Sequence, residues 1–189
     1  MFPSHETTQR NKLLAALPKN VFQRISSKLE LVYLTLGQVL YEPGDTLKHV
    51  YFPINAIISM HYVMVDGATA EFGMVGREGV LGVALFLGGG TTPNRALIQS
   101  AGSAVRLSVK ELNFEFSLGG RFHDLLLSYT QALITQISQT AVCNRLHPIE
   151  QQLCRWILLS HDRLDTDRLV VTHDLISNML GVHAIHISK

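Results

Sequence analysis

From Leu125 to Asn144 the chain carries no charged residue and no histidine. Across this run and its approach, Phe122, Leu126, Tyr129, Leu133, Ile137 and Thr140 recur at steps of three and four. That is the spacing of one helix face, and no Pro or Gly interrupts it before Leu146. A helix over 122–146 spans about 37 Å at about 1.5 Å per residue. A surface helix normally sets a charged face against its apolar stripe. Ser, Thr, Gln and Asn stand there instead. The run is too polar to cross a bilayer, which takes about 20 predominantly apolar residues. The pattern predicts a connector helix contacted on more than one side, by its own domain and by a second copy of the chain. The six stripe residues are the expected dimerisation contact. A core helix of one domain has the same periodicity and is the competing expectation.

Before Lys110 the period shortens. β-rich runs at 31–36, 39–41, 50–52, 56–65, 69–75, 96–100 and 104–109 are separated by Gly, Pro and Asp turns. Regular short strands punctuated in this way predict a β-sandwich or barrel. Asp66-Gly67 reads as a tight hairpin turn, because Asp-Gly tolerates positive φ. Residues 11–17 and 19–29 read as short helices broken at Pro18, and the residues before them as disordered. The Gly-rich stretch 88–93 lacks the Gly-Lys-Ser/Thr of a phosphate-binding loop. Helical text resumes at Lys110 and runs to about Ser117. Pro148 closes the long helix and opens the next one, 149–162. Residues 169–171 fit one strand of a small ribbon. The expected division is 1–118, a helical lead-in and sensor domain; 119–146, the connector helix; and 147–189, a small helical domain.

In that last segment Thr172 is a good N-cap, and Asp174 suits the first turn of a helix. Leu175, Ile176, Met179 and Leu180 form an apolar face, Gly181 breaks it, and Val182 and Ile187 begin another. Two short helices across a Gly-containing turn are the signature of a helix-turn-helix. Such a unit lays its second helix in the DNA major groove. Thr172, His183, Ala184, His186, Ser188 and Lys189 are the expected DNA-contacting residues. The text stops at Lys189, before a recognition helix would normally finish, so the expected reader is short of its wing.

Composition narrows the classes further. Of 189 residues, 47% are hydrophobic and 16% charged, which supplies a sizeable core. The net charge of +1 excludes a strongly basic chain but not local patches. Two cysteines, Cys143 and Cys154, are too few for a disulfide scaffold and fit no metal spacing. The N-terminus lacks a basic start followed by an apolar core, and no apolar run reaches membrane length. A cytoplasmic protein without membrane contact is expected. The β text holds only His49 and His61, with no His-x-His pair and no hydrolase or zincin motif, so no enzyme is expected. His183 and His186 could share a metal, but two ligands make no closed site, and no metal is expected.

Several segments together resemble the Crp/Fnr superfamily of bacterial transcription regulators, over nearly the whole length. They are the Leu36-Gly37-Gln38-Val39-Leu40-Tyr41-Glu42-Pro43-Gly44-Asp45 turn and His49-Val50-Tyr51-Phe52-Pro53. Gly76-Arg77-Glu78-Gly79-Val80-Leu81-Gly82, Cys143-Asn144-Arg145 and Leu180-Gly181-Val182 complete the set. The resemblance implies an α+β fold: an N-terminal cyclic-nucleotide-binding-like β-roll, a long dimerisation helix and a winged helix-turn-helix. It also implies an effector pocket at Gly82, Val83 and Arg95, and it departs from the family there. Cyclic-nucleotide binders carry Gly-Glu-hydrophobic where this chain has Gly82-Val83-Ala84, and valine offers no acceptor to a ribose hydroxyl. Arg95 looks similar to the phosphate-binding Arg, although an exposed or ion-paired Arg is the commoner state. After Leu-Gly-Val, relatives often carry Arg, and this chain has His183-Ala184.

The function expected is a dimeric, DNA-binding transcription regulator governed by a signal in the β-roll other than classical cyclic AMP. Its expected partners are DNA at a palindromic operator, a second copy of itself and RNA polymerase. No cofactor is expected, and the effector is unidentified. The alternative is a DNA-binding-deficient sensor or a heterodimerising modulator of full-length relatives.

Overall fold

Two antiparallel sheets roll around one apolar interior. The first has the order β1-β7-β3, with β1 Glu30–Leu34, β3 His49–Pro53 and β7 Gly102–Ser108. The second has the order β2-β6-β4-β5, with β2 Val39–Tyr41, β4 Ile57–Val63, β5 Thr69–Val75 and β6 Arg95–Ser100. The computed structural model describes residues 3–164, 166, 168–170 and 176.

Alternation along the strands decides what each sheet face meets. On β4, Ile58 and Met60 enter the roll interior, while Ile57, Ser59 and His61 point out of it. On β6, Ala96 and Ile98 face in, and Gln99 faces out. The β4–β5 hairpin turns at Asp66-Gly67 as expected: Gly67 takes φ 85°, and Asp66 Oδ1 accepts from the Ala68 amide at 3.0 Å. The same hairpin contains a bulge. Met60 pairs with Gly73 and His61 with Glu71, so Phe72 is left without an opposite residue. One extra residue reverses the in–out order beyond it. Glu71 and Met74, three apart, both reach the same outer helix as a result.

Three short helices, α1 His5–Gln9, α2 Lys12–Ala15 and α3 Lys19–Ser26, precede the sheets. The disorder expected before residue 11 is corrected by α1, which is capped by Ser4 Oγ accepting from the Thr7 amide at 3.1 Å. Asn11 joins this lead-in to the roll. Its Oδ1 caps α2 by accepting from the Leu13 and Leu14 amides at 3.1 and 3.2 Å. Its Nδ2 donates to the carbonyls of Pro53 and Gly79 at 3.0 and 2.9 Å.

After β7 come α4 Val109–Ser117, α5 Gly120–Leu146 and α6 Ile149–His161. With 27 residues α5 is about 40 Å long, two residues longer at its start than expected. Gly119 and Gly120, both at φ 70°, make the sharp entry that only glycine adopts freely. Leu169 and Val170 form no strand, and Val171 lies outside the described residues. No helix among the described residues is long and apolar enough to cross a membrane.

Candidate functional site

The expected effector segment sits on the roll. Gly82 takes φ 104°, where an added Cβ would lie 3.1 Å from Val50 Cγ1, and opens one turn of 3-10 helix, Val83–Leu85. The loop that follows is tied to the β2–β3 turn: the Gly44 amide donates to Thr92 O and the Leu47 amide to Gly90 O, both at 2.9 Å. Arg95 Nε donates to Glu42 Oε2 at 2.7 Å, an ion pair with both side chains partly exposed. The guanidinium is therefore engaged by a carboxylate of its own chain. Tyr41 Oη donates to Asn94 Oδ1 at 3.3 Å and closes the same loop. A nearby open cleft of about 650 Å³ is lined by Tyr41, Lys48, His49, Tyr51 and Arg106, and not by Gly82, Val83 or Arg95. Of its cations, Arg106 is paired with Glu30 at 2.8 Å.

The stripe of α5 divides in two. Phe122, Leu126, Tyr129 and Leu133 are buried in the roll's own core, and Ile137 packs on that core. Thr140 Oγ1 donates back to Gln136 O at 2.9 Å and accepts from Arg155 at 3.1 Å. These six side chains face the rest of their own chain. The opposite side exposes Leu127 at 40%, Ile134 at 52% and Val142 at 49%, with Gln131, Ser138 and Ala141 beside them.

A polar site that sequence reasoning missed lies on the outer face of the second sheet. Trp156 Nε1 of α6 donates to Glu71 Oε2 at 3.3 Å. Ser59 Oγ–H also donates to Glu71 Oε2, and lies 2.6 Å from His61 Nε2. A hydroxyl has one proton to give, so with Ser59 donating to Glu71 the Nε2–H of His61 donates to Ser59. Gln99 Nε2 donates to Ser160 Oγ at 2.8 Å. Ile57, Met74, Trp156 and Leu164 form a second small core around these groups. Burial pushes the Glu71 carboxyl up to about 7, against the opposing pull of its bonds to Ser59 and Trp156. Burial also lowers His61 to about 4, with Arg95 adding to the effect. Beside Glu71, a cavity of about 20 Å³ lined by Gln136, Thr140, Arg155 and Trp156 has room for one water. A lone Trp in α6 text and a lone Glu in strand text were the available signals.

Gly76 to Gly79 link this face to the effector segment. A Cβ on Gly79 would lie 2.2 Å from the Tyr129 ring, and one on Gly76 would lie 2.7 Å from Arg163 Cβ. Glu78 Oε1 accepts from the Gly76 amide at 3.2 Å and lies 2.8 Å from Arg163 Nε. The Arg163 N–H is off that line, so the contact is an ion pair rather than an aligned hydrogen bond. The expected DNA-contacting residues Thr172, His183, Ala184, His186, Ser188 and Lys189 lie outside the described residues.

Solved structures share this fold. One is a protein from Eubacterium rectale described as a Crp/Fnr-family transcriptional regulator, at TM-score 0.77 and 10% identity over 95% of this chain and 84% of that one. The fold is that of Crp/Fnr regulators. FixK2 of Bradyrhizobium japonicum matches at TM-score 0.71 and 12% identity, over 85% of this chain and 81% of that one. The c-di-GMP-responsive global regulator CLP of Xanthomonas campestris matches at TM-score 0.70 and 12% identity, over 90% and 88%. At these identities the likeness is one of fold. No protein-family model and no curated protein matches the chain. The expected α+β architecture, a β-roll followed by a long helix, is the one observed.

Proposed function

We propose that this protein is a homodimeric, DNA-binding transcription regulator whose β-roll senses a signal other than classical cyclic AMP. The observation that carries the reading is the outward face of α5. A helix already buried on one side leaves Leu127, Ile134 and Val142 exposed in a run with no charge from Leu125 to Asn144. A solvated helix face normally carries charge. A second copy of the same helix, meeting it about a two-fold axis, supplies what covers it. The dimer contact thus lies on the face opposite the periodic stripe.

The roll is the sensor in this reading. Val83 gives a ribose hydroxyl no acceptor, and Glu42 holds the Arg95 guanidinium. A site that lacks its polar partner loses most of its preference for the polar ligand. The segment 147–189 is the DNA reader, with RNA polymerase a further partner at the promoter. The experiment is selection of binding sites from a random duplex pool by the full chain. Enrichment of two-fold symmetric half-sites about one helical turn apart, roughly 34 Å, is the expected result. An unenriched pool would overturn the DNA-binding reading.

A further inference from the structure

The reader's first helix does not stand clear of the sensor. Trp156, Ser160 and the following turn lie on the outer face of the β2-β6-β4-β5 sheet, bonded to Glu71, Gln99 and Glu78. The Glu78 contact differs from the others because of where it sits. Glu78 belongs to the loop that runs directly into Gly82 and the effector segment. Asn11 anchors this loop from below, through the Gly79 carbonyl, and the Lys12 amide bonds Arg77 O at 2.7 Å. Above, Gly79 packs under the Tyr129 ring of α5, and Gly76 packs under Arg163. One short loop therefore touches the effector segment, the long helix and the second residue past α6.

We propose that the Gly76–Gly79 loop is a latch between sensor and reader: Glu78 holds Arg163, keeps α6 seated on the sheet, and releases it when the effector segment moves the loop. The release of a DNA reader rests on the reading of 147–189 given above, whereas the seating of α6 does not. Two features make the contact suited to opening. Arg163 is nearly buried, so its charge depends on Glu78 for compensation, with Leu159 O accepting from Nη1 at 2.8 Å. The buried Oε2 of Glu78 has no hydrogen-bond partner among the described residues. An ion pair that buries Arg163, leaves Glu78 30% exposed and leaves hydrogen-bonding capacity unmet repays little of its desolvation cost. The closed state is held by a modest margin, which a small displacement of glycine-flanked backbone can remove.

The protein reports on its own seat. Trp156, the single tryptophan, is 3% exposed, on the side of α6 that meets the sheet. Hydrogen–deuterium exchange of the α6 amides, with acrylamide quenching of Trp156, reads the seat without DNA. Arg163→Gln is expected to raise α6 exchange about tenfold and to make Trp156 quenchable, with β1, β3 and β7 amides unchanged. Arg163→Lys keeps the charge and should stay within about threefold of wild type. Glu78→Gln should open α6 as far as Arg163→Gln does, and the double variant no further. Unchanged α6 exchange in Arg163→Gln, equal loosening of β7, or additive effects of the two substitutions would overturn the latch. None of these outcomes depends on whether the chain reads DNA.

Discussion

Leu133 and Ile134 are adjacent on α5, one buried and the other exposed, which lets one pair of substitutions separate core from interface. Leu133 is 4% exposed within the roll core. Truncating it to Ala removes buried methyl groups that the core cannot fully replace, at a cost of about 2–5 kcal/mol in fold stability. Ile134 is 52% exposed, so Ile134→Glu should change the stability of a single chain by only about 0.5 kcal/mol. Across a two-fold axis the same change acts twice. Burying the open half of each isoleucine is worth about 1–1.5 kcal/mol, or about 2–3 kcal/mol for both. Dissociation should therefore rise about 30- to 150-fold, before like-charge repulsion adds to it. Sedimentation equilibrium gives the association constant, and thermal unfolding at several protein concentrations gives the stability. The expected pattern is Leu133→Ala as a less stable fold and Ile134→Glu as a well-folded monomer. An Ile134→Glu variant that associates as tightly as wild type would refute the placement of the contact.

Other substitutions probe the sensor. Asn11→Ala removes four hydrogen bonds at a fully buried position and should destabilise the fold by about 3–5 kcal/mol in urea unfolding. Gly79→Ala drives a methyl group into the Tyr129 ring and should cost about 1–3 kcal/mol by the same measurement. Glu71 and His61 make opposite pH slopes. The raised Glu71 carboxyl favours the folded state below its unfolded value of 4.5 and loses that contribution as pH rises to about 7. The depressed His61 favours it above 6.5 and loses that contribution as pH falls to about 4. Between 4.5 and 6.5 the two offset each other. Relative to wild type, Glu71→Gln should lose stability on acidification and His61→Gln on alkalinisation, by up to about 3 kcal/mol each. Parallel curves for all three proteins would contradict the assignment. Cyclic AMP titrated to about 1 mM should give no saturable heat in calorimetry, and a saturable heat would restore the classical pocket.

The strands were legible because period-two alternation and Gly, Pro and Asp turns mark both their faces and their ends. All seven appear within a few residues of the expected runs, and α5 begins only two residues earlier than its periodicity indicated. α1 escaped notice because five residues hold barely one turn of pattern, and Ser4 capping is local chemistry without a following apolar face. Periodicity showed that Phe122, Leu126, Tyr129 and Leu133 are buried, but not that the chain's own roll buries them. The Glu71 site was hidden by the bulge at Phe72. Strict alternation puts Glu71 and Met74 on opposite faces, and one unpaired residue brings both against α6. The absence of a Glu from the Gly82-Val83-Ala84 segment was visible in the sequence, whereas the Arg95–Glu42 pair needed the structure.

The most direct test of a dimeric DNA reader is the mass of the complex on its selected duplex. Native mass spectrometry of the full chain on such a duplex should show two chains per symmetric site. Inserting five base pairs between the half-sites, about half a helical turn, should abolish that species. A complex with one chain per duplex, or one indifferent to the insertion, would contradict the account.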